Sequence, residues 1–332
     1  MYYLVLLAGL IFAYLNGMHD GGTVVATAIS SRLEPPRKAV IYAGIANFFG
    51  AVLLGTSVAR TITGDIVDFG TGGSEQDRVI MLFALASFTG SIIWNIITWI
   101  TRLPSSASHA MIGAMIGSGI CAFGPEAVQW HSIYVKVILA MLLSPVLGFA
   151  AGFLFLKLQN RLLRNGTMVW NRRISRLNKV TSFLLSFSYG SNDAQKVMGL
   201  MAIGTCALTG GKGEIPMWII AGCGLVLALG TMTGGYNMIK TVGMDICKIN
   251  VDNSFASQLA TISVVTTANF TGIPISTTQV ITSSVMGVGT GNTPKSVNWK
   301  VIYRILAAWI ITIPASGLMA FFLYYIAYSL TA

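Results

Sequence analysis

The chain is a succession of long apolar runs separated by short polar stretches. Windows at 2–30, 38–60, 79–101, 105–122, 132–157, 180–208, 216–238, 254–272, 274–290 and 301–329 are each dominated by Val, Ile, Leu, Met, Phe, Ala and Gly. About 20 apolar helical residues cross a bilayer core, whereas a surface helix of a soluble protein shows water a polar face at every turn. The pattern predicts an all-α integral membrane protein with ten passes. The windows 105–122 and 274–290 are short and lie against prolines, so they either cross or turn back against their neighbours. Two runs are interrupted by an acid: NGMHDGG at 16–22 carries Asp20, and YGSNDAQK at 189–196 carries Asp193.

Composition agrees with a lipid solvent. Hydrophobic residues make up 54% of the 332 and charged residues 10%, against roughly 25% charged in an ordinary soluble domain. Mean hydropathy is +0.71. The net charge of +10 therefore concerns orientation in the membrane, and no nucleic-acid partner is expected. From Lys157 to Lys179 the chain carries seven basic residues and no acid, which marks 158–179 as a cytoplasmic linker. Upstream, the loop with Arg32, Arg37 and Lys38 is basic, that with Asp65, Asp68, Glu75 and Asp77 is mostly acidic, Arg102 is basic, and the loop near Glu126 is acidic. This alternation gives a multi-pass protein of the cell membrane with both termini outside. The first window lacks a basic leader, which argues against a cleaved signal peptide. Cys121, Cys206, Cys223 and Cys247 show no CxxC spacing and read as packing residues.

The halves on either side of the linker resemble each other. Residues 1–157 and 180–332 each contain an Asp motif followed by a proline and a hydroxyl-rich run, PSSASHAMIGAMIGSG from Pro104 and PISTTQVITSSVMGVG from Pro274. Gly113, Gly117 and Gly119 recur as Ser283, Gly287 and Gly289. With five passes in each repeat, the second copy lies inverted, the plan of a secondary transporter whose site sits near the midplane on broken or re-entrant helices. Gly113 and Gly117 themselves read as a small-residue helix contact.

A carboxylate in hydrocarbon costs about 2.5–3.5 kcal/mol on the insertion scale, so Asp20 and Asp193 require partners or water. Gly17, Gly21, Gly22 and Gly190 are expected to break the two helices and expose carbonyls. With Asn16 and Asn192 these make a hard-oxygen ligand set, suited to Na⁺ at Asp20 and Asp193 or to a proton. His19 reads either as a hydrogen-bonding group in the bundle or as a proton carrier. The hydroxyl runs have the opposite character. Ser105, Ser106 and Ser108, with Ser276, Thr277 and Thr278, read as helix N-termini that offer N–H and O–H donors to an oxyanion. Lys196 stands one helical turn beyond Asp193, placed either to pair with it or to touch the anion. An anion rests beside two carboxylates only if cations lie between, so the two ligands lower each other's electrostatic cost.

Other classes fit less well. A hydrolase using His19, Asp20 and Ser105 would have no counterpart in the second half, where Asn192 and Gln279 stand for His19 and His109. An anion channel would favour cationic rings over buried carboxylates. The segments NGMHDGGTVVATAISSR and SYGSNDAQKVMGL, with LPSSASHAMIGAMIG, IPISTTQVITSSVMG and GTMTGGYNMIKTVGMDI, resemble in order the signature motifs of the inorganic phosphate transporter (PiT) family, over about 2–329. That resemblance implies symport of phosphate with Na⁺ or H⁺, no enzyme activity, Asp20 and Asp193 at the positions of the family's essential aspartates, and both termini outside. Two departures leave the coupling ion open. His19 stands where Asn is usual, as in some bacterial members that work with protons or metal–phosphate complexes, and Gly22-Thr23-Val24 replaces Ala-Asn-Ala. Sulfate, carried by another branch, is the alternative cargo. The implied partners are inorganic phosphate, Na⁺ or H⁺, the lipid bilayer and, compatible with this plan, a second copy of the chain; no organic cofactor is expected.

Overall fold

The computed structural model describes residues 1–64, 66–67, 69, 74–164, 168–209 and 215–331. Asp65 and Asp68 of the acidic loop lie outside the described residues. The first half contains α1 (Tyr2–Ser30), α2 (Pro36–Leu53), α3 (Ser57–Gly64), α4 (Ser74–Ile100) and α5 (Ala107–Phe123). It closes with α6 (Trp130–Ser132), which runs through a π turn at Ile133–Ile138 into α7 (Leu139–Leu162). The second half repeats this order: α8 (Met168–Thr209), α9 (Met217–Thr233), α10 (Tyr236–Lys240) with a π turn at Thr241–Asp245, α11 (Val251–Thr271), α12 (Thr277–Asn292) and α13 (Trp299–Thr331). The basic stretch read as a linker is mostly helical, since it falls on the last turns of α7 and the first turns of α8.

The α1 helix, residues 76–100, the span 130–162 and residues 299–330 are long and apolar enough to cross a bilayer alone. Two further spans are bent pairs: α2 with α3 turns by 68°, and α9 with Tyr236–Asp245 turns by 62°. The bends fall at matching places in the two halves, and Gly55 (φ 82°) and Gly234 (φ 78°) supply the left-handed residue at each. The α8 and α11 helices are less apolar because Asn192, Asp193, Gln195, Lys196, Asn253, Gln258 and Thr261 are buried inside the bundle. Outside, the distribution reverses. Leu7, Leu142, Val146, Leu154, Ile310, Leu318 and Phe322 are exposed, as expected of a surface solvated by lipid tails.

The strongest helix contacts join one half to the other. The α1 helix packs on α9 as α8 packs on α2, and α5 packs on α13 as α12 packs on α7. Glycines make these approaches close. A Cβ at Gly17 would collide with the Leu227 carbonyl, at Gly190 with the Asn47 backbone, and at Gly117 with the Gly317 carbonyl. The expectation that glycines break the helices beside the aspartates is therefore corrected: α1 and α8 run unbroken through Asp20 and Asp193. Close contact between membrane helices rests on small residues, and that is what these glycines provide. Gly117→Val should force α5 and α13 apart at a cost of about 1–3 kcal/mol, read as a lower apparent Tm of the detergent-solubilised protein.

Candidate functional site

The two hydroxyl runs build a pair of like-shaped helix entrances. In the first, the chain leaves α4 through a turn in which the Leu103 N–H donates to the Thr98 carbonyl at 2.9 Å; in the second, it leaves α11 with the Ile273 N–H donating to the Ala268 carbonyl at 3.2 Å. A proline follows each turn. Ser106 then caps α5, its Oγ accepting from the His109 N–H at 3.2 Å, and Ser276 caps α12, accepting from the Gln279 N–H at 3.3 Å. Ser105, Ser106, Ser108, Ser276, Thr277 and Thr278 are all buried. Two helix N-termini thus lie deep in the protein with their positive ends and free N–H groups unspent on solvent.

Each aspartate reaches one of these entrances. Lys196, 1% exposed, donates to Asp193 Oδ1 at 2.6 Å, to Ser108 Oγ at 2.6 Å and to the Ile275 carbonyl at 2.8 Å. A single ammonium therefore ties an aspartate of the second half to the α5 tip of the first half and to the loop that opens α12. Thr277 Oγ1 adds a longer donation to Asp193 Oδ1, 3.4 Å. Asp20 is 2% exposed, and its Oδ1 lies 2.7 Å from His19 Nδ1. The other imidazole nitrogen faces Thr98 Oγ1 at 3.5 Å, and Thr98 accepts from Ser105 Oγ at 3.0 Å. The clusters meet where the Tyr189 hydroxyl donates to the Asn16 carbonyl at 3.1 Å.

Several buried polar atoms here have no hydrogen-bond partner among the described residues. They include Asn16 Oδ1, Asn192 Oδ1 and Asp193 Oδ2, all acceptors, and Thr278 Oγ1 at the α12 tip, which can donate. Unpaired buried polar groups cost roughly 1–3 kcal/mol each, so each of these atoms calls for a water or a ligand. Three oxygens without donors suit a small hard cation. Among the described residues no group of three His, Cys, Asp or Glu side chains stands ready for a metal ion. Because α1 and α8 are unbroken, the unpartnered oxygens they offer here are side-chain atoms and not the freed carbonyls expected from the glycines.

Some residues of the site escaped the sequence reading. Thr98 relays between His19 and Ser105, and Asn95, one turn before it, leaves both side-chain polar atoms unpartnered. On α11, Asn269 stands one turn nearer its proline than Asn95 does on α4, accepting from Asn192 Nδ2 at 2.6 Å and donating to the Ser188 carbonyl at 3.1 Å. A lone Asn inside each of two apolar runs was the available signal. Gln195 accepts from the Val58 N–H at 2.8 Å and so caps α3, a structural task that the Asn-Asp-Ala-Gln-Lys string did not suggest.

Apolar spans enclosing a charged, hydroxyl-lined centre define a multi-pass membrane transporter. A model of the phosphate transporter family matches residues 16–320, and the chain belongs to that family, one of transporters and not of enzymes. It is 39% identical over 326 residues to the Bacillus subtilis (strain 168) protein named "Probable low-affinity inorganic phosphate transporter", covering 97% of this chain and 96% of that one. It is 34% identical over 330 residues to a Rhizobium meliloti (strain 1021) protein of the same name, with 97% and 96% covered. A solved structure named "The sodium-dependent phosphate transporter" superposes with a TM-score of 0.86 at 24% identity, over 98% of each chain, and shares the fold.

Proposed function

We propose that the chain moves inorganic phosphate across the cell membrane by symport with Na⁺ or H⁺, through alternating access of two inverted repeats, 1–157 and 180–332. In this reading Asn16, Asp20, Asn192 and Asp193 hold the cations, with His19 on Asp20, and phosphate docks between the α5 and α12 tips on Ser105, Ser106, Ser108, Ser276, Thr277 and Thr278. Both termini face outward and 158–179 faces the cytoplasm, as the loop charges suggest. The structural neighbour is sodium-dependent by name, and that supports Na⁺ as the first ion to test.

The observation that carries the proposal is the junction at Lys196. Its ammonium neutralises Asp193 while occupying Ser108 and the Ile275 carbonyl at the two tips. A cation arriving at Asp193 Oδ2 competes for the carboxylate and frees the ammonium to turn toward an anion between the tips. Each ligand thereby improves the site for the other, which is the thermodynamic content of symport. The loaded centre then passes from one face to the other as the half-to-half helix contacts rock.

Radiolabelled phosphate and sulfate uptake into proteoliposomes, with Na⁺ and pH gradients imposed separately, tests this directly. Phosphate uptake driven by one of the two gradients is expected; phosphate conduction with neither would mean a channel, and preferred sulfate uptake would reassign the cargo. A second expectation concerns the anion site alone. Thr278→Val removes the unpartnered hydroxyl without altering side-chain volume much, so the KM for phosphate should rise about tenfold while the half-saturating cation concentration moves less. An unchanged KM removes Thr278 from the site.

A further inference from the structure

The turns that precede α5 and α12 close alike, yet they differ at one residue. Thr-Arg-Leu-Pro at 101–104 matches Thr-Gly-Ile-Pro at 271–274, and in both the third residue's N–H reaches back over a helix end. Such a closure puts the preceding residue in the left-handed region, where glycine is at ease. Gly272 sits there at φ 70°, but its counterpart is Arg102 at φ 57°. A side chain retained against backbone strain points to a task for that side chain.

Arg102 lines a pocket of about 200 Å³ with Arg304, Asp245, Thr101, Thr241 and Pro104. Pro104 is the residue immediately before the buried Ser105, so the pocket adjoins the α5 tip on its outer side. Both arginines are exposed. Neither guanidinium has an ion pair or side-chain hydrogen bond among the described residues, and the same holds for the Asp245 carboxylate. Two planar guanidinium forks match the edges of a tetrahedral oxyanion. One carboxylate against two arginines leaves a net positive pocket, attractive to an anion yet weak enough to release it, as a station on a transport path requires.

We infer that Arg102 and Arg304 form a peripheral docking station for inorganic phosphate, through which the anion reaches or leaves the tip at Ser105 and Ser106. The inference rests on the phosphate-carrier reading and adds a second stop to it. Arginine modification by phenylglyoxal, mapped by peptide mass spectrometry on the purified full-length protein, tests it without transport. Millimolar inorganic phosphate should slow labelling of Arg102 and Arg304 severalfold relative to chloride at equal ionic strength, with the exposed Arg37 and Arg172 as unprotected controls. The same protection should persist in Asp193→Asn, whose inner site is altered. Arg102→Gly gives the turn its relaxed residue and should fold, and its KM for phosphate exchange from the Arg102 face should rise about tenfold. Equal labelling of all four arginines with and without phosphate would overturn the station even if uptake proves to be phosphate symport. Protection without any phosphate uptake would instead retain the station and reject the carrier reading.

Discussion

Asp20→Asn is expected to abolish cation-coupled phosphate uptake while leaving a folded, inserted protein. Asparagine keeps the volume and one carbonyl oxygen, so the contact with His19 Nδ1, now 2.7 Å, survives in a neutral form. What disappears is the negative charge in a site that is 2% exposed. Removing one partner of a buried charge pair costs about 3–5 kcal/mol, and at about 1.4 kcal/mol per decade that lowers cation affinity more than a hundredfold. Phosphate then meets the α5 and α12 tips without its counter-charge, and uptake falls with it. The check is uptake in proteoliposomes together with a gel-filtration profile and thermal melt matching the parent. Near-normal ion-dependent uptake by a well-folded Asp20→Asn protein would remove this carboxylate from the coupling site.

The carboxylates of Asp20 and Asp193, the amides of Asn16 and Asn192 and the two hydroxyl runs were legible because a polar residue in an apolar run stands out, and because each occurs twice. The all-helical architecture was legible for the same reason. The role of glycine was not: Gly17 and Gly190 beside an aspartate read equally well as a helix break or as a close helix contact, and only the positions of Leu227 and Asn47 decide between them. Pairing between the halves was also hidden, since no local pattern says that α1 meets α9 or that α5 meets α13. Lys196 shows the limit most clearly. Helical spacing placed it beside Asp193, but its reach to Ser108 depends on the packing of one half against the other, and its reach to the Ile275 carbonyl on the fold of the α11–α12 loop. Arg102 reads in the sequence only as a basic loop charge; what sets it apart is its φ of 57° where Gly272 has 70°.

Lys196→Met should lose phosphate uptake and also lose stability, and the two losses are separable. Methionine fills the stem's space but leaves Asp193 as a buried charge without its nearest cation, and it strips Ser108 Oγ and the Ile275 carbonyl of a donor. The expected destabilisation is about 3–5 kcal/mol, the usual cost of orphaning one member of a buried pair. Adding Asp193→Asn removes the orphaned charge, so the double variant should regain most of the lost Tm while uptake stays absent. If Lys196 stands in for the coupling cation when the site is empty, a bound Na⁺ can replace it electrostatically. The Tm of Lys196→Met should then climb with Na⁺ more steeply than that of the parent, because a ligand that binds the native state raises stability with its concentration. The double variant, lacking this carboxylate but keeping Asp20, should respond to Na⁺ no more steeply than the parent. A Lys196→Met protein that melts and transports like the parent would reduce this lysine to a packing residue, and a flat Na⁺ response in a destabilised one would place the coupling ion away from Asp193.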